Sequence, residues 1–489
     1  MVEGEVLRRD ARDVARFDLE CDVLVVGFGC AGACAAIEAA QAGAEVLVVE
    51  RSGGAGGTSI NSGGFLYLGG GTALQKALGY EDSADNMFRY MMAACGPAPD
   101  EKLIAPYCEG SVEHFDWIVK QGVPYRASYF PGNHEPFATD DGLTYSGSEH
   151  VHPFSTIATP APRGHAPRSI RDKGALLMNR LIASALAAGA RAAHQSRCDA
   201  LVIERDGRVV GAGLSTLEGE RCVRARRAVI LTAGGFIFND AMLGRYAPAL
   251  LRCGSKVGTE TDDGLGIRLG LAAGGEAIRM DAGDVSMAVF PPNRLRSGIF
   301  VNRQAQRFLN EDVYFGRAGE TVLLHQDGQA YLIVDERCFE RPAMFPIELA
   351  GVGESIAELE AEVGFPPGML QATVAYYNAH AANGDDPLFH KRREWLTLLE
   401  APPFAAIDLR VSQPFFTAFT LGGLRIDADG RVLGASGDAV PGLYAAGRTT
   451  SGVAKQGYSS GMSLGDGSFF GRRAGRHAAR LSPPIGGRA

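Results

Sequence analysis

At 489 residues, with 46% hydrophobic and 21% charged side chains, the chain carries enough apolar material for a large core and two or three domains. Its net charge of −8 removes the electrostatic basis for a nucleic-acid partner. The charged first segment, MVEGEVLRRDARDVARFDLE, has no apolar stretch, so no secretory leader is expected. The 9 cysteines are odd in number and form no C-x-x-C pair. They read as free thiols in a reducing compartment, and a cytoplasmic location is expected. The 10 histidines form no H-E-x-x-H or comparable ligand set, so no metal is expected.

Taken in chain order, VLVVGFGCAGACAAIEAAQAGAEVLVVERS (23–52) predicts strand, turn, helix and strand, one βαβ unit. Gly27, Gly29 and Gly32 keep the G-x-G-x-x-G spacing. The first permits a tight turn, the second lets backbone approach a pyrophosphate, and the third lets the helix pack on the strand. The helix start offers N–H groups to phosphate oxygens, and Glu50 at the end of the second strand is placed to accept from ribose hydroxyls. Cys30 and Cys34, one helical turn apart, read as small buried residues. GGAGGTSINSGGFLYLGGG (53–71) is too glycine-rich for a packed element and reads as a loop laid against something.

Helical patterns with Pro and Gly breaks fill 74–121, and LMNRLIASALAAGA (177–190) predicts an amphipathic helix. That stretch contains Arg180 and is too short to cross a bilayer, so no membrane span is expected. Short strands follow in CDALVIE, RDGRVVGAGL and RAVILTAGGF, with hairpin chemistry at Arg205-Asp206-Gly207. The one basic run, RCVRARR (221–227), reads as a solvated face. Val229–Thr232 reads as buried strand, and Ala233-Gly234-Gly235 follows at its carboxyl end, where open α/β sheets hold ligands. From 281 to 414 aromatics and prolines increase and βαβ alternation stops, which predicts an inserted domain. Glycine-rich strands return in LGGLRIDADGRVL and GLYAAG (442–447), a helix over 461–480 follows, and the tail SPPIGGRA is expected to be disordered.

The ordered set GFGCAG, GGTSINSGG, LTAGG, TDDGLGI, NRQAQRFLNED, LGGLRID and GLYAAG resembles the FAD-dependent fumarate reductase and 3-ketosteroid dehydrogenase superfamily over nearly the whole chain. The resemblance implies an α/β fold. A Rossmann-like, glutathione-reductase-like FAD-binding domain would span 1–280 and 415–489, and an inserted α+β catalytic or capping domain 281–414. It implies non-covalent FAD. The ADP end would lie on Gly27, Gly29, Gly32, Glu50 and Arg51, with backbone near Cys198 at the adenine. Gly57, Thr58, Ser59, Gly63 and Gly64 would hold the pyrophosphate and flavin. Ala233, Gly234, Asp263, Gly447 and Arg448 would contact the cofactor further along, Arg448 standing where the family often has Glu. Ser463 and Leu464, opening the last helix, would face the flavin N1–C2=O edge.

Within that superfamily the segment GVAKQGYSSGMSLGDG (452–467) lacks the Asn-Arg pair of the dicarboxylate reductases and offers only Lys455 as a cation. Its Tyr458 and Ser460, with Tyr314 of NEDVYFGR, resemble the 3-ketosteroid Δ4-(5α)-dehydrogenases, which oxidise the C4–C5 bond of a 3-keto steroid. Such chemistry needs a donor to the ketone, a base at C4 and a hydride acceptor at C5. The resemblance assigns Tyr458 as donor, Ser460 as proton acceptor, Tyr314 as relay and flavin as hydride acceptor, with an external electron acceptor as partner. On spacing alone, Tyr-Ser-Ser also describes a turn with its hydroxyls on backbone, and Tyr314 a core or hinge aromatic. Phe65, Tyr67, Phe290, Phe315, Phe415, Phe416 and Phe419 are candidates for an apolar steroid pocket. A Δ1-dehydrogenase, a related flavin enone reductase of fumarate-reductase type, and an electron-passing flavin module are the alternatives. The chain has no C-x-x-C-H and no iron–sulfur cysteine pattern to serve the last.

Overall fold

The computed structural model describes residues 7–132, 138–290, 292–342 and 345–482. Its first half contains β1 (Leu19–Val26), α1 (Cys30–Gln41), β2 (Val46–Val49), α2 (Gly57–Ile60) and α3 (Lys173–Ala187). Strands β3 (Arg191–Ala193), β4 (Ser196–Ile203), β5 (Val209–Thr216) and β6 (Gly219–Leu231) follow. The second half contains β7 (Gly283–Met287), α4 (Phe315–His325), β8 (Phe416–Thr420), β9 (Ala439–Ala445) and α5 (Met462–Arg480).

The core strands β3, β2, β1, β6 and β9 run parallel, with Leu24 opposite both Leu47 and Val229, and Val229 opposite Leu443. Their Val and Ile runs are covered on both faces and buried throughout, the reason they are continuous rather than alternating. β4, β5 and the first half of β6 extend this sheet as an antiparallel meander, turned at Arg205-Asp206-Gly207 by a Glu204 N–H to Arg208 C=O bond of 2.8 Å. Gly27 has φ +99°, and a Cβ there would stand 2.6 Å from Thr232 O; a Cβ on Gly32 would stand 2.0 Å from Gly27 O. Both distances are below contact, so the turn is closed to any larger residue. α5 lies against α1 just as closely, since Cβ atoms on Gly471 and Gly475 would fall 2.4 and 2.1 Å from Ala31 O and Ala35 O. Arg472 and Arg476 of α5 both pair with the buried Glu38 of α1, at 3.0 and 2.9 Å.

Two expectations need correction. Residues 53–71 are not wholly loop: α2 forms there, and Leu66–Tyr67 is a buried strand paired with Gly164–His165. The glycines conceal a four-residue apolar run, Phe65 to Leu68, that is long enough to pair. RCVRARR does not precede the strand but lies inside β6, where alternation buries Val223 and Ala225 while Arg221 and Arg224 reach the surface. Arg226 is held there by Asp22 at 2.9 Å and Glu45 at 2.6 Å.

Between 281 and 414 the strands Ile299–Asn302, Ala330–Val334, Phe404–Asp408 and Leu349–Gly353 form an antiparallel sheet in that order. β7, at the start of this region, runs antiparallel to β8, just beyond its end, with Val285 opposite Ala418. α4 packs on β7 closely enough that a Cβ on Gly319 would meet Val285 O at 2.1 Å. No helix among the described residues is long and apolar enough to cross a membrane. All of SPPIGGRA beyond Ser482 lies outside the described residues.

Candidate active site

A cavity of about 420 Å³ runs from the carboxyl ends of β1, β2 and β6 to the start of α5 and the faces of β7 and β8. Its lining includes Gly27, Gly29, Glu50, Arg51, Gly57, Thr58, Ser59, Gly63, Gly64, Cys198, Ala233, Gly234, Gly447, Arg448, Ser463 and Leu464. Gly32 stands behind the turn, where its missing side chain permits the packing described above. Asp263 lies outside the lining. It pairs with Arg51 at 2.8 Å and its other oxygen accepts from Leu265 N–H at 3.0 Å, so it fixes the residue that does face the cavity.

The turn residues suit a dinucleotide. Gly29, the N-cap of α1, has no side chain to cap it; Cys30 N–H donates to Ser59 Oγ at 3.2 Å, and a Cβ on Gly29 would meet nothing closer than that Oγ at 3.6 Å. That opening, beside a helix N-terminus, is a cradle for phosphate oxygens. Glu50 is buried at the far side of the turn, where it accepts from Phe28 N–H and Ser52 N–H, each at 2.9 Å. Its carboxylate is thereby fixed, with lone pairs remaining for hydroxyl donors. Asp262, one residue from the expected acid, is a lining residue that sequence reading missed. It accepts from Thr58 Oγ1 and from Arg448 Nη2, both at 2.7 Å, and so locks the middle loops together. The only trace of it in the sequence is the doubled acid of TDDG.

At the opposite end, Tyr314 Oη and Ser460 Oγ lie 2.9 Å apart although 146 residues separate them. Tyr314 is the N-cap residue of α4 and is 2% exposed. Tyr458 and Ser460 both line the cavity, while the intervening Ser459 turns away to share a 3.2 Å bond with Tyr90 Oη. This alternation is that of extended backbone. Tyr458 Oη accepts from Ser463 N–H at 3.1 Å, and its ring meets Phe419 edge-on at 5.3 Å.

What holds these groups in place was invisible in the sequence. Ser146 accepts from Ser460 N–H through its carbonyl and donates through Oγ to Ser460 C=O, both at 2.9 Å. Ser148 Oγ accepts from Tyr314 N–H at 3.0 Å, and Ser148 N–H donates to Tyr90 Oη at 3.0 Å. Gly147 between them leaves no room for a Cβ, which would stand 2.2 Å from Ser459 Oγ. Glu320, also on α4, accepts from Gly457 N–H at 2.6 Å, and burial raises its carboxyl above the usual range. Asp284 and Ser286 of β7 line the cavity as well, with Ser286 Oγ donating to Asp284 at 2.6 Å.

Of the seven aromatic candidates, Phe65, Phe290, Phe315 and Phe419 line the cavity. Tyr67, Phe415 and Phe416 are wholly buried and lie outside its lining. Phe345, which the sequence did not single out, joins the lining. Among the described residues no cluster of His, Cys, Asp and Glu is arranged to hold a metal ion.

A family model described as FAD binding domain matches residues 22–464. The 3-oxo-5-alpha-steroid 4-dehydrogenase of Comamonas testosteroni is 32% identical, the match covering 91% of this chain and 95% of that protein. Among solved structures, the 3-ketosteroid-delta4-(5alpha)-dehydrogenase of Rhodococcus jostii RHA1 in complex with 4-androstene-3,17-dione is 47% identical, with a TM-score of 0.93 over 97% of this chain and 100% of that one. The 3-ketosteroid delta1-dehydrogenase of Sterolibacterium denitrificans is 21% identical with a TM-score of 0.72 over 94% of this chain and 99% of that one, a likeness of fold.

Proposed function

Because this chain belongs to the FAD-dependent fumarate reductase and 3-ketosteroid dehydrogenase superfamily, we propose that it introduces the C4–C5 double bond into 3-keto-5α-steroids during steroid breakdown. The observation that carries the reading is the 2.9 Å Tyr314–Ser460 hydroxyl pair, which shares one cavity with Tyr458 and the glycine loops.

The loops from Gly27 to Leu464 would hold FAD non-covalently, and the bound cofactor would supply the hydride acceptor. The remaining work belongs to side chains. Tyr458 donates to the 3-keto oxygen, and the Ser463 N–H that its oxygen accepts strengthens it as a donor. Polarisation of the ketone acidifies C4–H. Ser460 Oγ takes that proton as it passes its own to Tyr314, which releases its phenolic proton toward solvent, so the C4–H pair of electrons becomes the new double bond while the hydride leaves C5. Ser146 and Ser148 hold the acceptor and the relay in register. Phe65, Phe290, Phe315, Phe345 and Phe419 supply apolar walls suited to a sterol ring system.

We assign residues 1–280 and 415–489 to a Rossmann-like FAD-binding part and 281–414 to an inserted capping part, with the β7–β8 pair as their junction. The electrons pass to an external acceptor. All nine cysteines are free thiols, which supports a reducing, cytoplasmic setting. The cations lining the cavity do not favour a dicarboxylate: Arg448 is engaged by Asp262, Arg51 by Asp263 and Arg197 by Asp199. Anaerobic mixing with 5α-androstane-3,17-dione tests the reading. Bleaching of the bound flavin with formation of 4-androstene-3,17-dione is expected, and a 1-ene product or no reaction refutes it.

A further inference from the structure

A second cavity, of about 20 Å³, adjoins the reaction end and shares Arg448, Tyr458 and Ser463 with the large one. That volume exceeds the ~10–15 Å³ that one water requires, and a buried water needs two to four polar partners. Three buried atoms from its lining, Ser451 Oγ, Ser463 Oγ and Asp466 Oδ1, have no hydrogen-bond partner among the described residues. Three orphaned polar atoms around one space of that size form a built site, and their mixture of hydroxyls and a carboxyl suits a water.

We propose that Ser451, Ser463 and Asp466 hold a buried water, and that Asp466 is through it a positioning residue whose charge tunes Tyr458. Ser463 is the link. It lines both cavities, its buried hydroxyl has no partner among the described residues, and its N–H donates to Tyr458 Oη at 3.1 Å. A neutral carboxyl there leaves the phenol free to polarise a ketone. An ionised one opposes the negative charge that a polarised ketone places on its oxygen. Residues facing Asp466 from other elements are Tyr107, Cys95, Tyr458 and Arg448. Burial pushes the Tyr107 phenol up and the Cys95 thiol up to about 12, and Arg448 is paired with Asp262. Burial pushes Asp466 up to about 7, against the opposing pull of Val453 N–H. Of Tyr107, Cys95 and Asp466, Asp466 alone changes charge near neutral pH.

The inference rests on Tyr458 being the donor to the 3-keto group. It is tested on the FAD-loaded native chain, Asp466→Asn and Ser451→Ala by binding 4-androstene-3,17-dione without turnover, read from flavin absorbance between about pH 5.5 and 8.5. The native chain is expected to bind roughly tenfold more weakly at the upper end, the effect of a one-unit coupling between two groups. Asp466→Asn is expected to be flat. Ser451→Ala is expected to keep the transition at a higher pH, because its carboxylate loses a solvating water. A native profile in Asp466→Asn, or an unmoved midpoint in Ser451→Ala, overturns the proposal. Should Asp466→Asn fail to fold, infrared difference spectra of the native chain and Ser451→Ala decide. A protonated-carboxyl band lost near neutral pH, and lost later in Ser451→Ala, supports the proposal, and identical spectra overturn it. A titrating band without steroid binding at any pH supports the water and carboxyl site while overturning the steroid reading.

Discussion

The two ends of the large cavity are built by different means. At the Gly27 end, geometry comes from backbone: a turn and a helix start within one βαβ unit, and contacts too close for a Cβ, among them Gly27 against Thr232 O. At the Tyr458 end, it comes from side chains of three distant segments, 146–148, 314–320 and 457–463, joined by hydrogen bonds between hydroxyls, carboxyls and peptide groups. A backbone site is set by excluding atoms and tolerates little change in size. A side-chain site is set by partners and loses its chemistry while its shape survives. Substitutions at one end should therefore empty the cofactor site, and at the other end should leave it filled and idle.

The largest expected effect is at the reaction end. Ser460→Ala should lower kcat for a 3-keto-5α-steroid by about 10²–10⁴-fold with FAD content unchanged, measured by steady-state rates beside the flavin-to-protein absorbance ratio. Loss of flavin in this variant would erase the distinction between the ends. A pH effect also belongs to that end. The folded chain holds the Asp466 carboxyl at about 7, against an ordinary 3.8. The folded state therefore keeps a proton that the unfolded chain releases, and stability present below pH ~4 is lost as pH rises toward ~7. The slope is at most about 1.4 kcal/mol per pH unit, and Asp466→Asn should remove that contribution in urea unfolding followed across the same range.

At the other end, Gly32→Ala forces a methyl to within 2.0 Å of Gly27 O. It should destabilise the chain by about 1–3 kcal/mol and lower FAD content, with kcat per bound flavin retained, as read from thermal melts and flavin-normalised rates. The smallest effect sharpens the contrast. Ser146→Ala removes the Oγ bond to Ser460 C=O, a loss of about 0.5–1.5 kcal/mol. It should slow turnover by a few-fold at full FAD content, and an unchanged kcat would remove Ser146 from the supporting frame.

This difference in construction also governs what could be read from the sequence. The first βαβ unit was legible because Gly27, Gly29, Gly32 and Glu50 follow one another at fixed spacing within a single strand–helix–strand passage. The second part of the cavity was legible only by resemblance, which picked out Tyr314, Tyr458 and Ser460 but not what aligns them. Ser146-Gly147-Ser148 has no periodicity and no motif, because its function lies in bonds to residues 90, 314 and 460. Asp262 was passed over for Asp263 because nothing in TDDG says which acid a turn directs inward. The apolar run at Phe65–Leu68 was obscured by the glycines on either side, and the start of β6 by the charge that covers its buried Val223 and Ala225.

The contact of α5 with α1 also bears on biosynthesis. The glycine turn is made more than four hundred residues ahead of α5, yet the helix behind it is buried by Gly471 and Gly475, and its Glu38 is neutralised by Arg472 and Arg476. Parallel strand β9, which completes the sheet beside β6, is equally late. The cradle cannot close until α5 has been made, and until then the growing chain must keep an unpaired, apolar β1–α1–β2 unit from aggregating.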